Sequence, residues 1–231
     1  VLMTIINYAK FGMQHQDAPT RDKAFTKILN AASRAEKITN GVLGIARNRS
    51  KGRESMPLTE LIEDCLLLLE RELNKYRIRI EKYFAENVPE VFVNSSQIEQ
   101  VILNMLINAR QAMPNGGPLV LKIWYDADDE LVNLMIRDHG CGIPQEKLPN
   151  IFDAFYTTKT GPDETGKGGT GVGLSMCRDI IESHHGRIRV ESAEGKGTAF
   201  TLRFPTAETA RAKDSSATRT VIGMPEQPKD Q

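Results

Sequence analysis

The sequence predicts an α+β fold, a two-layer sandwich with helices on one face of a mixed sheet, preceded by a helical hairpin. Three observations predict it. Apolar residues near the N-terminus recur in steps of three and four, and residues 58–205 alternate between helical and extended patterns. The region then closes on two segments with strict alternation of apolar and polar residues, joined by "EGKG".

The first predicted unit is a pair of helices over residues 1–48. The second helix carries an apolar seam at Phe25, Ile28, Ala32, Ala35, Ile38, Val42 and Ile45. Upstream, "VLMTIINYAKFGM" has a helical pattern of its own, and "QHQDAPT" between the two supplies turn residues. Two helices cannot cover both apolar faces by themselves, so we expect a homodimer through residues 1–48, built as a four-helix bundle.

The remaining boundaries follow from composition. Residues 49–57 are polar and indicate a linker, and residues 206–231 are polar, rich in Ser, Thr and Pro and without period, which is typical of a disordered tail. Residues 58–205 form the predicted main domain. It begins with a helix (58–75), two short strands (77–84 and 90–93) and a second helix (96–113). Two strands joined by "DADDE", a glycine-rich stretch, a third helix (173–185) and a closing hairpin around "EGKG" follow.

Composition excludes several classes of protein. Lys plus Arg and Asp plus Glu both number 30, so the net charge does not favour nucleic acid. The three cysteines are widely spaced, which fits a reducing compartment better than a disulfide framework or a zinc site. No apolar run is long enough to cross a membrane, and no signal peptide is visible. We therefore expect a cytoplasmic chain without membrane contact of its own, with membrane attachment of the parent protein left open.

The segment "TGKGGTGVGL" places five glycines in ten residues, directly before a predicted helix. Such a stretch suits phosphate, because free N–H groups at a helix start and the helix dipole form an anion site. A Walker loop fits through Gly161, Gly166 and Lys167 but fails at Gly168, where a hydroxyl should meet magnesium. The dinucleotide fingerprint fails on spacing. The pattern indicates a different type of nucleotide site.

Two further clusters are ambiguous one at a time. On the helix of residues 96–113, Asn104, Asn108 and Gln111 fall on a face beside the apolar stripe, where simple solvent exposure is the alternative. In "IRDHGCGIP", Asp138 ends a strand and is followed by Gly140 and Gly142. Such a carboxylate can accept from an exocyclic amine while the backbone lies close beneath a planar ring, although a plain turn explains the pattern equally well.

Taken in order, "NMLINA", "DHGCGI", "FDAFYTTK", "GGTGVGLS" and "GKGTAFTLRFP" closely resemble the N, G1, F, G2 and G3 boxes of sensor histidine kinases. The resemblance covers nearly all of residues 58–205. It implies the Bergerat-type ATP-binding fold shared with gyrase, MutL and a chaperone ATPase. The segment "SRAEKITNGVLGIAR" resembles the family's dimerisation domain, which agrees with the predicted hairpin.

The resemblance implies a role for each matching position. Asn108 corresponds to the magnesium-coordinating Asn of the family, and Asn104 lines the phosphate site one turn earlier. Asp138 binds the adenine amino group. The other nucleotide-binding positions are Gln111, Ala112, Gly140, Gly142, Ile143, Lys159, Gly169, Thr170, Gly171, Val172, Gly173, Leu174 and Thr198. The implied cofactors are ATP or ADP and magnesium.

Three of these roles have a definite place in the site. Gly140, Gly142 and Ile143 form the pocket floor, the glycine-rich residues 169–174 wrap the phosphates, and Thr198 lies where the third glycine box approaches the adenine. Gln111 is a departure, since many relatives carry a basic residue there to meet phosphate. Lys159 or Lys167 compensates in this interpretation, while either lysine alone is as easily a solvated loop charge.

One position favours a kinase over a hydrolase. Hydrolases of this superfamily place a general-base Glu one turn before the magnesium Asn, and here that position is Asn104, which cannot act as a base. Glu99 is not a substitute, because "SQIE" predicts a capping box in which Glu99 pairs with Ser96. The resemblance therefore implies a protein histidine kinase, with magnesium and positioning supplying most of the rate.

The match breaks at the phosphoacceptor. A motif resembling "HExxNPL" would precede Val1, so the expected chain binds ATP without phosphorylating itself and has no catalytic residue of its own. None of the four histidines makes a convincing acceptor. His15 is in the hairpin turn, His139 lies in a variable slot, and His184 and His185 end a helix before Gly186 in a C-cap arrangement.

The function that the resemblance implies is transfer of the ATP γ-phosphoryl group to a histidine, and then to an aspartate on the receiver domain of a response regulator. An alternative is an ATP-binding dimeric interaction module whose nucleotide site is vestigial or regulatory. A second alternative is a related protein serine kinase or a hydrolase, which predicts steady ATP turnover without a histidine acceptor.

Overall fold

The computed structural model describes residues 2–15, 17–29, 31–32, 52–157, 171–212 and 214. The chain divides into two compact units. The first consists of residues 1–50 and 149–176, and the second of residues 51–148 and 177–231. Among the described residues, no helix combines the length and apolar character needed to cross a bilayer. The domain boundaries given above stay a prediction, with two local corrections reported below.

The first unit contains the two N-terminal helices, α1 (Leu2–Gln14) and α2 (18–29). They pack through small residues: a Cβ added to Gly12 of α1 would lie 3.2 Å from the Cβ of Ala24, which is fully buried on α2. Asp17 caps α2, because its Oδ2 accepts a hydrogen bond from Thr20 N at 3.0 Å. Most of the predicted seam, residues 33–48, lies outside the described residues.

The second unit is built on a five-stranded mixed sheet. Its strand order is β2 (Ile78–Phe84), β4 (Gly117–Asp126), β5 (Leu131–Asp138), β7 (Gly197–Pro205) and β6 (Arg187–Ala193). Strand β2 runs parallel to β4, and the other neighbours are antiparallel. The predicted α+β fold with a mixed sheet is confirmed.

One face of this sheet supplies the core. Leu121 of β4 pairs with Ile136 of β5, and Ile136 pairs in turn with Phe200 of β7, all three buried. Their neighbours along each strand point to the opposite face, as the period of two requires. Two long helices, α3 (Leu58–Lys75) and α4 (Ser95–Ala112), complete the second layer. Burying one such side chain contributes about 1.5–3 kcal/mol, so the alternation fixes which face meets the helices.

Helix α4 buries the stripe that its sequence predicts. The buried members are Ile98, Val101, Ile102, Met105, Leu106 and Ala109. Arg110 is buried as well, which the sequence pattern does not predict. Its guanidinium lies 3.7 Å from Glu72 and 4.6 Å from the centre of the Tyr76 ring, so it ties the end of α4 to the end of α3.

The start of α4 corrects one prediction. The N-cap is Asn94, whose Oδ1 accepts a hydrogen bond from Gln97 N at 3.1 Å. The predicted capping box between Ser96 and Glu99 is therefore wrong, because both residues already lie inside the helix. The backbone carbonyl of Glu99 accepts the thiol of Cys65 at 3.7 Å.

The predicted linker and the predicted tail each contain a segment of regular structure. Strand β1 (Glu54–Met56) lies inside the predicted linker and pairs antiparallel with β3 (Val91–Val93). Residues 207–212 form a short helix, α6, with Ala210 buried, so the prediction of a disordered tail is wrong there. Residues 215–231 lie outside the described part.

Helix α5 (Gly173–Ser183) begins where the sequence predicts and ends two residues earlier than predicted. His185 has φ 57°, the left-handed conformation that ends a helix, and Gly186 N donates to Ile181 O at 2.9 Å. The predicted C-cap arrangement of His184 and His185 is thus present, with His185 rather than Gly186 as the left-handed residue.

Candidate functional site

Asp138, at the end of β5, is the buried acid of the site, with 4% of its surface exposed. Its Oδ1 accepts two backbone hydrogen bonds, from Gly140 N at 2.9 Å and Thr198 N at 3.2 Å. Burial raises the pKa of this carboxyl, and the two N–H groups oppose the rise. No described residue donates to Oδ2. The buried carboxylate therefore keeps one oxygen for a donor from a ligand.

The loop after Asp138 is held between the end of α4 and the β6–β7 hairpin. Cys141 N donates to Ala112 O at 3.1 Å, and Cys141 O accepts from Gly195 N at 2.7 Å. A Cβ on Gly140 would collide with the backbone of Ala112, and one on Gly142, which has φ 67°, would collide with the Ala193 carbonyl. The structure thus gives a packing reason for both glycines, in addition to the predicted approach to a ring.

Ser192 connects the predicted floor of the pocket to Thr198. Its Oγ accepts from Ile143 N at 2.8 Å, donates to Gly197 O at 2.9 Å and lies 2.9 Å from Thr198 Oγ1. The motifs quoted above do not include this residue. The available signal was a polar side chain at the position in β6 that continues the inward series of Ile188 and Val190.

The polar face of α4 is partly buried. Asn104, Asn108 and Gln111 are half-buried beside the buried stripe. Asn108 lies one turn before Ala112, whose carbonyl holds the loop that follows Asp138, so one end of the fold carries both the amide and the carboxylate. Asn104 Nδ2 donates to Cys177 Sγ at 3.1 Å. Nothing in the local sequence around either residue indicates this pairing.

The described part of the predicted phosphate segment belongs to the first unit. Gly171, with φ 69°, accepts a hydrogen bond from Phe155 N at 2.8 Å, and a Cβ on Gly171 would collide with the Phe155 backbone. Helix α5 starts at Gly173, and Val172 O accepts from Met176 N at 3.1 Å. The first N–H groups of a helix lack intrahelical partners, so Gly173 and Leu174 offer donors suited to an anion. Lys159, Gly169 and Thr170 lie outside the described residues.

All four histidines are engaged within the fold. His15 Nδ1 lies 2.9 Å from Phe11 O, and His139 Nδ1 lies 3.1 Å from Pro118 O. His184 is 1% exposed with both ring nitrogens in hydrogen bonds, and His185 Nε2 lies 2.7 Å from Asp214 Oδ1. The expectation that none is a phosphoacceptor stays a prediction.

Comparison with known proteins gives a family. The family model described as "Histidine kinase-, DNA gyrase B-, and HSP90-like ATPase" matches residues 93–208, which include every predicted site residue. Sporulation kinase E of Bacillus subtilis (strain 168) is 32% identical over 189 residues, which are 82% of this chain and 24% of that protein. Sensor kinase CckA of Brucella abortus (strain 2308) is 35% identical over 211 residues, 84% of this chain and 22% of that protein.

Solved structures agree with the sequence comparison. The nucleotide-free catalytic domain of histidine kinase ThkA superposes with a TM-score of 0.59 at 27% identity, covering 70% of this chain and all (100%) of that one. ThkA in complex with the response regulator protein TrrA gives a TM-score of 0.63 at 26% identity, covering 89% of this chain and 57% of that one. The chain spans about a quarter of the length of the two curated relatives above. It belongs to the family of histidine kinase-, DNA gyrase B- and HSP90-like ATPases with the Bergerat-type fold, and its relatives there are sensor histidine kinases.

Proposed function

We propose that this chain is the ATP-binding kinase core of a two-component sensor histidine kinase. It transfers the γ-phosphoryl group of ATP to a histidine, for relay to an aspartate of a response regulator. The observation that carries the proposal is the Asp138 carboxylate, buried at the end of β5 with Oδ1 saturated by two N–H groups. A buried acceptor with one oxygen left over fits the exocyclic amine of adenine.

Magnesium fits the donor set of α4. Among the described residues, no group of three His, Cys, Asp or Glu side chains could hold a metal by itself. Magnesium prefers oxygen ligands, keeps several waters and is usually held by few protein groups together with substrate phosphates. Asn108 would hold it through its amide oxygen. When bound, the ion neutralises charge that develops on the transferred phosphoryl group.

Helix α5 provides the proposed phosphate contact. Its first residues, Gly173 and Leu174, follow directly on Gly171 and Val172, and the N–H groups of a first helical turn are donors without intrahelical acceptors. The helix dipole adds to the attraction for an anion. Phosphate oxygens are therefore bound by backbone groups here, which explains why a segment rich in glycine precedes the helix.

A kinase is favoured over a hydrolase by the residues of α4. Asn104 occupies the position of the hydrolase base, and an amide takes no proton at neutral pH. Glu99 is five residues earlier, which places it about 140° around the helix from Asn104. The carboxylate of Glu99 therefore lies on a different face of α4 from the proposed site, even though its predicted capping role is absent.

The partners follow from the first unit and from the relatives. Large apolar side chains on α1 and α2 are at least 41% exposed: Met3, Ile6, Phe11, Met13, Phe25 and Leu29. A second copy of residues 1–48 would cover such surfaces in a four-helix bundle. The complex of ThkA with TrrA supports a receiver domain as the second partner. A cytoplasmic location belongs to the same proposal.

Calorimetric titration with ADP, with and without Mg²⁺, tests the nucleotide site. A live site binds ADP, and Mg²⁺ strengthens the binding because the ion joins Asn108 to the phosphates. Absence of binding under both conditions would contradict the proposal and favour the interaction module with a vestigial site.

Phosphotransfer in trans tests the chemistry. An acceptor hairpin carrying a histidine is added to this chain with Mg-ATP, and acid-labile phosphate on the hairpin is measured. The kinase labels the hairpin and hydrolyses little ATP without it. Steady ATP turnover without the hairpin would instead indicate a hydrolase or a serine kinase.

A further inference from the structure

The side-chain amide of Asn104 is held by a thiol from another helix. Asn104 Nδ2 donates to Cys177 Sγ at 3.1 Å, across 73 residues of sequence. Cys177 is fully buried on α5, four residues after Gly173 begins that helix. The contact joins α4, which carries the amide face, to Cys177 of α5, and both residues belong to the second unit.

The thiol acts as a neutral acceptor in this contact. Burial raises the pKa of Cys177 to about 12, and the hydrogen bond from Asn104 opposes the rise. Sulfur is a weak acceptor, so the bond gives the amide a modest preference for this orientation. Because Nδ2 is turned to Cys177, Oδ1 lies on the other side of the amide, and within the described ranges no residue donates to it.

Asn104 Oδ1 is a hydrogen-bond acceptor and can therefore bind a donor or a cation but not a phosphate oxygen. A phosphate oxygen needs a donor, whereas a hydrated cation needs an acceptor. Asn104 lies one turn before Asn108, so the two amide oxygens can serve the same ion or its water. The orientation of Asn104 thus suits the cation that accompanies the phosphates better than the phosphates themselves.

We propose that Cys177 is a positioning residue that fixes the amide of Asn104 with Nδ2 toward α5 and Oδ1 toward the magnesium side of the nucleotide site. The inference rests on the proposed function. It makes the effect of Mg²⁺ on nucleotide affinity depend on a residue of α5. It also assigns Asn104 to the metal rather than to a phosphate oxygen.

The chain contains a matched control. Cys65 of α3 is also fully buried, and burial together with the nearby Glu99 and Asp64 raises its pKa to about 12. Its thiol donates to the Glu99 carbonyl at 3.7 Å, whereas the described hydrogen bond of the Asn104 amide is to Cys177. Cys65→Ala therefore removes the same atoms from the same unit without altering the amide.

The experiment measures ADP affinity with and without Mg²⁺ by calorimetry on the whole chain. We expect Cys177→Ala to reduce the gain in affinity from Mg²⁺ about 3- to 10-fold, the size of one hydrogen bond, with Mg²⁺-free affinity within about 2-fold of the wild type. Cys177→Ser keeps an acceptor and restores most of the gain. In an Asn104→Ala background, Cys177→Ala has no further effect.

Several results would overturn the inference. Cys177→Ala could keep the full Mg²⁺ gain, lose affinity equally with and without the ion, or behave as Cys65→Ala does. Cys177→Val, which removes the acceptor while filling the space, carries the same test should the alanine variant unfold. A wild-type chain that binds no nucleotide overturns the proposed function together with this inference, whereas normal wild-type binding with an unchanged Cys177→Ala overturns the inference alone.

Discussion

The buried polar groups at the two ends of α4 differ in whether all their polar atoms have hydrogen-bond partners. At the N-terminal end, His184 Nδ1 donates to Ile180 O at 2.7 Å, and its Nε2 accepts from Asn94 N at 3.1 Å. Both ring nitrogens of this residue are in use. At the C-terminal end, Asp138 uses Oδ1 twice and leaves Oδ2 without a described donor. The first arrangement is closed and the second is open.

Burial acts on both groups against their charged forms. It lowers the pKa of His184 and raises the pKa of Asp138. A neutral imidazole satisfies the His184 environment completely, so that group stabilises the fold. A carboxylate in the Asp138 environment costs free energy until a ligand donor arrives. Under the proposed function, an incomplete set of hydrogen-bond partners, rather than burial by itself, distinguishes the ligand-binding Asp138 from the structural His184.

The largest expected effect is on ligand binding at the open end. Asp138→Asn removes the charged acceptor, and we expect ADP affinity to fall about 100-fold, as for loss of a hydrogen bond to a charged group. Asp126→Asn is the matched control, because Asp126 ends β4 as Asp138 ends β5. Calorimetry measures both. Equal losses of ADP affinity in the two variants would show that the effect is not specific to Asp138, and would contradict the proposed role of its open oxygen.

The raised pKa of Asp138 also predicts how Asp138→Asn changes the stability of the fold. The unfolded carboxyl ionises near its ordinary value of 3.8, and the folded Asp138 holds its proton to higher pH. Stability from this group is therefore lost as pH rises through the folded pKa. We expect Asp138→Asn to be at least as stable as the wild type at pH 7 in urea unfolding. A clearly destabilised variant would contradict the open-site description.

The closed end shows the reverse pattern. His184→Ala leaves Asn94 N without its acceptor and creates a cavity, so we expect a loss of about 2 kcal/mol in the free energy of unfolding. ADP affinity of the folded fraction stays within about 2-fold, because the hydrogen bond from Asn94 to His184 lies at the N-terminal end of α4 and Asp138 lies at the other end. The exposed His139 serves as control through His139→Ala. Loss of ADP affinity without loss of stability would invert the comparison.

A smaller effect comes from protonation of His184. Its pKa is lowered from the ordinary value of 6.5 by burial, so the unfolded chain takes up a proton first as pH falls. Stability is full above pH 6.5 and declines below it toward the folded pKa, by at most about 1.4 kcal/mol per pH unit. Thermal unfolding between pH 8 and about pH 5 should show this decline in the wild type. In His184→Gln the decline should be reduced, and an unchanged profile would exclude His184 as its source.

The smallest effect is expected at Asp214, a partly exposed ion pair. Its carboxylate lies 2.6 Å from Arg53 Nη1 and 2.7 Å from His185 Nε2. Burial by itself raises the pKa of Asp214, but the hydrogen bonds from His185 and Arg53 outweigh burial, so the pKa is lowered. Because exposed pairs contribute little, Asp214→Asn should cost less than about 1 kcal/mol in urea unfolding. A larger loss would show that the start of the tail is a structural part of the second unit.

Local patterns were sufficient to predict much of the fold. The apolar stripe predicts the buried face of α4, and strict alternation predicts the β6–β7 hairpin. In both cases the signal lies within a few residues of the feature. The strand pattern also ends on Asp138, but its proposed role rests on the resemblance of the ordered boxes, because the local pattern fits a plain turn equally well.

Features that depend on distant partners were missed. Asn94 rather than Ser96 caps α4, a shift of two residues that no local propensity distinguishes when Asn and Ser are both good caps. Strand β1 forms by pairing with β3, with Glu54 opposite Val93 and Met56 opposite Val91, so its partner lies outside any local window. The contacts of Cys177 with Asn104 and of Ser192 with Ile143 likewise join separate elements.

The most direct test exchanges the ligand atom that Asp138 is proposed to bind. Inosine diphosphate carries a carbonyl oxygen where ADP carries the exocyclic amine. The wild-type chain should prefer ADP by about 10- to 100-fold, and Asp138→Asn, whose amide can donate, should lose or reverse that preference. Equal affinity of the wild type for both nucleotides, or an unchanged preference in Asp138→Asn, would contradict the assignment of the open carboxylate to the purine amine.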